Sequence, residues 1–284
     1  MVQFFRLLCV SFAGLAALLM VSPAAQAQYV DFVTPEQYPA ADRDGRVTSG
    51  GASLFYAEWG QGDPVILLHG GTGSIENFAY LIPDLAPSYH VIGIDSRGHG
   101  RSTRDETPYS YSLMADDVIA VMDELGLEQA AFVGWSDGGV IILDMAIRYP
   151  ERLTRGFMLG ANYSWDGVDL SPIVTNPSVA TSRTTGKAIY QRVSQTPANY
   201  DKFRSDIFEM WSTLPDYTSQ QLQSIRVPLT VAHGLEEEFI SEAHSVEMAA
   251  LIPGARYLPL ANVSHFALWQ DPAAFNAEVL AFLK

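Results

Sequence analysis

Ser136 stands at the centre of Gly134-Trp135-Ser136-Asp137-Gly138, behind the apolar run Ala130 to Val133 and ahead of an apolar helical stretch, Gly138 to Tyr149. Glycines two before and two after a serine suit a sharp strand-to-helix turn, where larger residues would clash with each other. Such a turn presents the hydroxyl as a nucleophile. The helix N-terminus behind it places partial positive charge where an oxyanion would develop. A bare G-x-S-x-G arises often by chance, and the strand before and helix after set this one apart. Asp137 is a rival nucleophile, for chemistry through an alkyl-enzyme ester. With Asp137 at the apex, however, the position two before would be Trp135, which is too bulky.

A second candidate lies in Leu68-His69-Gly70-Gly71-Thr72-Gly73, directly after the apolar run Val65 to Leu68. Glycines let the backbone turn sharply and aim N–H groups at a substrate oxygen, as acyl transfer requires. The expected donors are the N–H groups of Gly71 and Asp137. A phosphate loop is the competing reading, and it fails because no G-K-[ST] follows.

A general base is expected at His265, in Val263-Ser264-His265-Phe266, between the last apolar run and a C-terminal helix. His69 and His99 sit in glycine-rich turns and read as structural. His90 opens a strand, and His244 lies on a helix, where it is expected to be solvated. His233 ends a strand but precedes the acidic cluster, whereas the known order on this architecture is Ser, acid, His. The acid should come from Glu236-Glu237-Glu238 after Gly234. One carboxylate can orient the histidine; the others read as solvated loop positions.

The elements that must position these groups alternate. Arg46 to Trp59 reads as a hairpin around Ser49-Gly50-Gly51. Short apolar runs follow at 65–68, 90–94, 130–133, 156–159, 229–232 and 255–258, each suited to a strand buried on both faces of a parallel sheet. Helices are expected at Ile75 to Leu85, Leu113 to Leu125, Gly138 to Tyr149, Ser241 to Leu251 and Pro272 to Leu283. This is an α/β fold with a mostly parallel central sheet flanked by helices. Residues 161–227 break the rhythm and carry Tyr190, Tyr200, Phe203, Phe208, Trp211 and Tyr217. They read as a small, mostly helical cap inserted into a domain spanning 28–284.

Met1 to Ala27 differs in kind: Arg6, an apolar run through Val21, then Ala25-Gln26-Ala27. This is the pattern of a cleaved secretory signal, and it implies a periplasmic or secreted protein. The apolar run is short for a membrane span of roughly 20 residues, so no span is expected after cleavage. The single cysteine, Cys9, lies inside this segment, so the mature chain would hold no disulfide or thiolate site. With 17 basic and 32 acidic residues the formal charge is −15, which argues against nucleic acid as a partner. The composition names no oligomeric state.

Together these motifs resemble the α/β-hydrolase superfamily, in particular its capped carboxylesterases and the related peptidase and C–C hydrolase branches. The likeness runs from about Gly45 to the C-terminus. It includes Asp95-Ser96-Arg97-Gly98-His99-Gly100-Arg101-Ser102, similar to the family's D-x-R-G-x-G-x-S, and Ile252-Pro253-Gly254-Ala255 before the last strand. Members usually carry an aspartate three residues after the glycine ending the seventh strand. Here that position is Glu237, so the resemblance implies a Ser136–His265–Glu237 triad. The implied substrate is a small-molecule ester, with no cofactor or metal. The same residues leave open an acyltransferase or cofactor-free perhydrolase, and a ligand-binding protein with slow turnover.

Overall fold

In the computed structural model, residues 32–284 are described. The signal-sequence reading falls on residues 1–27 and lies outside them. No helix among the described residues is long and apolar enough to cross a membrane.

Eight strands form one sheet in the order β1-β2-β4-β3-β5-β6-β7-β8. They are β1 (Arg43–Ser49), β2 (Ala52–Trp59), β3 (Asp63–Leu68), β4 (Tyr89–Asp95), β5 (Ala130–Trp135), β6 (Leu153–Leu159), β7 (Leu229–Gly234) and β8 (Arg256–Leu260). β1 and β2 pair as the expected antiparallel hairpin, β2 pairs antiparallel with β4, and every other pairing is parallel. Alternation along each strand feeds two cores. Ile66, Leu68, Phe132 and Met158 pack on one face, while Val65, Leu67, Val133, Phe157 and Leu159 pack on the other. Fully burying one such side chain stabilises the fold by about 1.5–3 kcal/mol. Two covered faces explain why these strands read as unbroken apolar runs.

The helices are α1 (Ile82–Leu85), α2 (Tyr111–Glu124), α3 (Asp137–Arg148), α4 (Pro172–Thr175), α5 (Pro177–Val193), α6 (Tyr200–Trp211), α7 (Ser219–Ser224), α8 (Glu242–Leu251), α9 (Ala267–Gln270) and α10 (Pro272–Leu283). Capping sets several starts: the Ser110 side chain accepts from Leu113 N, Ser241 from His244 N and Asp271 from Ala274 N, each satisfying an amide with no partner inside its helix. The helix expected over Ile75 to Leu85 is instead a short 3-10 turn, Ile75–Phe78, followed by α1. One residue breaks it. The ring of Pro83 would clash with the carbonyl of Ala79 in a continuous helix, whereas the bond from the Ile75 amide to Asp95 Oδ1 at 2.9 Å only satisfies an amide that has no partner inside a helix.

The D-x-R-G-x-G-x-S stretch proves to be a fold clamp. Asp95 takes the amides of Ile75 and Arg101, both at 2.9 Å. Ser102 Oγ accepts from Phe55 N at 2.8 Å, and Arg97, fully buried, grips Asp117 of α2 through Nε and Nη2 at 2.6 and 2.5 Å. This sews β2, β4 and α2 together. Between β6 and β7 the chain forms α4 to α7 and no strand of the sheet.

Candidate active site

The C-terminal ends of the parallel strands bring distant loops together, as open α/β sheets do. Leu68 at the end of β3 is in register with Gly134 of β5, and Gly234 of β7 with Leu260 of β8. The loops after β3, β5, β7 and β8 carry Gly71, Ser136, Glu237 and His265 respectively.

Ser136 has φ 55° and ψ −121°, a conformation that favours glycine over any β-carbon-bearing residue. Hydrogen bonds hold it there. Its N–H donates to Leu159 O at 2.8 Å, extending the β5–β6 ladder, and its carbonyl accepts from Gly139 and Val140 to open α3. A β-carbon on Gly134 would lie 2.4 Å from the carbonyl oxygen of Gly138, the mutual clash expected from the motif. Gly138 meets a different obstacle: its β-carbon would lie 1.9 Å from the carbonyl oxygen of Leu68. The second glycine therefore lets α3 sit against the end of β3. Gly138→Ala should cost about 1–3 kcal/mol, since backbone cannot rotate away. Urea melts test this, and an unchanged midpoint would contradict the packing argument.

His265 is fixed on all sides. Its Nδ1 lies 2.8 and 3.0 Å from the two carboxylate oxygens of Glu237, whose side chain is fully buried. Its backbone N–H donates to Glu238 Oε2 at 3.1 Å, and its carbonyl accepts from Trp135 Nε1 at 2.7 Å. Phe239 packs against the ring edge, with centroids 4.9 Å apart. A β-carbon at Gly160 would stand 2.7 Å from Nδ1, and this residue adopts φ 60°. With Nδ1 engaged, Nε2 is the nitrogen left for chemistry. Burial disfavours the imidazolium, but the charge and hydrogen bond of Glu237, with Glu238 and Asp137 behind it, outweigh burial and raise the pKa above its ordinary value.

Of the three glutamates, only Glu236 is exposed as a solvated loop residue would be. Glu238 departs from that expectation, because it holds the backbone of His265. A spacing rule locates one carboxylate for the ring and cannot reveal a second for the backbone. His244 also departs from the solvated position expected of it. It is buried, stacked on Tyr163 at 4.4 Å, and its Nε2 accepts from Tyr163 N at 3.2 Å. His69 is structural, as its turn implies. Its Nε2 accepts from Ser96 N at 3.0 Å, so its Nδ1 carries the proton that Gly70 O receives at 2.8 Å. That pair of bonds shapes the turn before Gly71. His233, at the end of β7, bonds to Ser245 Oγ at 3.0 Å, away from Ser136.

Ser136, Asp137, Gly71 and His265 line one cavity. The side chain of Asp137, which the motif leaves unassigned, is buried. It accepts from Tyr111 Oη at 2.9 Å and from Trp211 Nε1 at 3.0 Å to each oxygen. Burial pushes its carboxyl up to about 6, against the two hydrogen bonds. Trp211, the last residue of α6, also stands over Gly71, whose β-carbon would lie 2.2 Å from the indole. The cap thus touches both loops expected to supply oxyanion donors. Aromatic cap residues divide between two jobs: Trp211 and Phe208 line the cavity, whereas Tyr190 is buried in the cap, stacked on Phe203 at 4.9 Å. Among the described residues no group of acidic, histidine or cysteine side chains could hold a metal ion.

Residues 63–214, more than half of the chain, match the family described as the alpha/beta hydrolase fold. The chain belongs to the α/β-hydrolase family. This α/β-hydrolase is 27% identical over 265 residues to the 2-hydroxy-6-oxo-6-phenylhexa-2,4-dienoate hydrolase of Comamonas testosteroni, covering 81% of this chain and 91% of the relative. It is 33% identical over 126 residues to the bifunctional epoxide hydrolase 2 of Sus scrofa, a match to 43% of this chain but 23% of that much longer protein. Among solved structures, Est816, described as an N-acyl homoserine lactone degrading enzyme, superimposes with a TM-score of 0.69 at 26% identity. That match covers 84% of this α/β-hydrolase and all of the other chain, 100%.

Proposed function

We propose that this α/β-hydrolase cleaves a small-molecule carboxylic ester by two-step acyl transfer to water through Ser136, His265 and Glu237. One observation carries the reading: a strained serine and a histidine whose Nδ1 is held by a buried carboxylate face the same cavity. Nε2 of His265 takes the hydroxyl proton as Ser136 Oγ attacks the ester carbonyl. The oxyanion is met by the N–H groups of Gly71 and Asp137, and the proton passes to the departing alkoxide. Water, deprotonated by the same Nε2, then releases the acid and restores Ser136. The test is a panel of p-nitrophenyl esters of graded chain length, with lactones and amino-acid amides alongside. Turnover of esters at rates near an ordinary enzyme's roughly 10 per second supports the reading, and hydrolysis confined to other bonds overturns it.

A second reading rests on Arg183 and Arg204 of the cap. Both line the cavity, and neither has an acidic partner among the described residues of this acidic chain. They favour a substrate with a carboxylate remote from the scissile bond, as in the dienoate named for the Comamonas relative. Cleavage of a dienoate's C–C bond in preference to p-nitrophenyl esters would select it.

The cap sets chain-length preference in either case. Trp211→Ala should shift the relative rates among ester lengths. Tyr190→Ala should leave the profile alone and instead cost about 3–5 kcal/mol, as loss of a buried aromatic does. Equal profiles for both variants and the parent would show that Trp211 only packs the cap.

A further inference from the structure

The polypeptide ahead of β1 does more than lead into the domain. Its far end is anchored on the sheet. Tyr38 packs edge-on to Trp59 at 5.3 Å and lies 4.8 Å from the guanidinium of Arg101, while Trp59 Nε1 donates to Pro39 O at 3.0 Å. The segment then passes the cap, where Arg192 of α5 donates to the carbonyl of Glu36 and its guanidinium lies 3.6 Å from the Glu36 carboxylate. It ends against the loop that carries His265. Phe32 stacks on Phe266 at 4.8 Å and lies 5.4 Å from Trp269, and Tyr80 Oη donates to Val33 O at 3.3 Å. Between these fixed points Thr34 is 8% exposed and lines the same cavity as Ser136. Its hydroxyl is buried with no hydrogen-bond partner among the described residues, a costly state that a ligand's polar atom or an ordered water relieves.

We infer that residues 32–38 form a strap that walls the substrate cavity, and that Thr34 limits the length of the group bound beside Ser136. The inference rests on the reading of that cavity as the acyl-transfer site. A strap pinned at the sheet, the cap and the histidine loop narrows the space those elements leave between them. The side chain at 34 therefore acts on substrates through size, without touching the reacting atoms.

The experiment measures inactivation of the full chain by alkyl fluorophosphonates that phosphonylate a reactive serine, comparing methyl with octyl probes. In Thr34→Trp the octyl-to-methyl rate ratio should fall about ten-fold or more, as expected when a pocket loses room for several methylenes. In Phe32→Ala, which frees the strap from Phe266, the ratio should rise. Misfolding would slow both probes together and could not move the two variants in opposite directions. Ratios unchanged in both variants, with the parent labelled normally, overturn the strap. A parent labelled normally yet inert on every ester overturns the esterase reading alone, and the ratios still judge the strap. A parent that takes up neither probe overturns both.

Discussion

Replacing Ser136 with alanine is expected to lower kcat by about 10⁴- to 10⁶-fold, the range seen when a triad nucleophile is removed, with the fold intact. Stability should hold because the turn is built by the backbone. The bond from Ser136 N to Leu159 O and those from Gly139 and Val140 to Ser136 O all survive the change. Alanine also bears the same positive φ penalty that serine already bears. Residual rate should reflect binding and oxyanion stabilisation alone. Steady-state kinetics with circular dichroism check both halves. A loss of only a few-fold would move the nucleophile elsewhere, and Asp137 would be the next residue to replace. Its carboxylate is already committed to Tyr111 and Trp211, so it makes a poor nucleophile here.

Glu237→Gln is expected to lower kcat by about 10³- to 10⁴-fold and to move the acid limb of the pH profile. On the proposed mechanism the parent requires neutral His265, so activity should be lost as pH falls through that residue's pKa, which lies above the ordinary histidine value of 6.5. Glu237 supplies the largest raising influence on that pKa. Removing its charge should therefore shift the limb to lower pH, while the amide can favour the wrong tautomer and cannot stabilise the imidazolium. Asp137, titrating near 6, adds negative charge over the same range and pulls the limb the opposite way. Glu237→Asp restores the charge one methylene short and should recover part of the rate with the limb near the parent's position. An unshifted limb in Glu237→Gln would show that another group holds the base. Glu238→Ala should act through the histidine's backbone bond and lower kcat less, with the limb shifted only slightly downward.

The strand core is legible because its physics is local. Six short apolar runs become β3 to β8 with shifts of at most three residues at either end, and Pro272 to Leu283 is α10 to the residue. Burial on two faces needs no partner to be named in advance. The helix expected at Ile75 to Leu85 fails where that expectation passed over Pro83, whose ring clashes with the carbonyl of Ala79. Apolar periodicity alone carries no record of the proline's missing N–H and its ring.

The α/β order of elements and the serine turn are legible in the sequence, since each depends on residues adjacent in the chain. Two glycines and a strand-to-helix junction describe the turn at Ser136 without reference to anything distant. What surrounds that turn depends on the assembled fold. It put Glu237 on the imidazole and Glu238 on the backbone of His265. It joined Trp211 of the cap to Asp137, and it laid Thr34 of the leading segment into the cavity wall. Contacts between residues tens to hundreds of positions apart depend on where the sheet's register places the loop ends. No periodicity or short motif encodes that register, because it is set by the packing of the whole core.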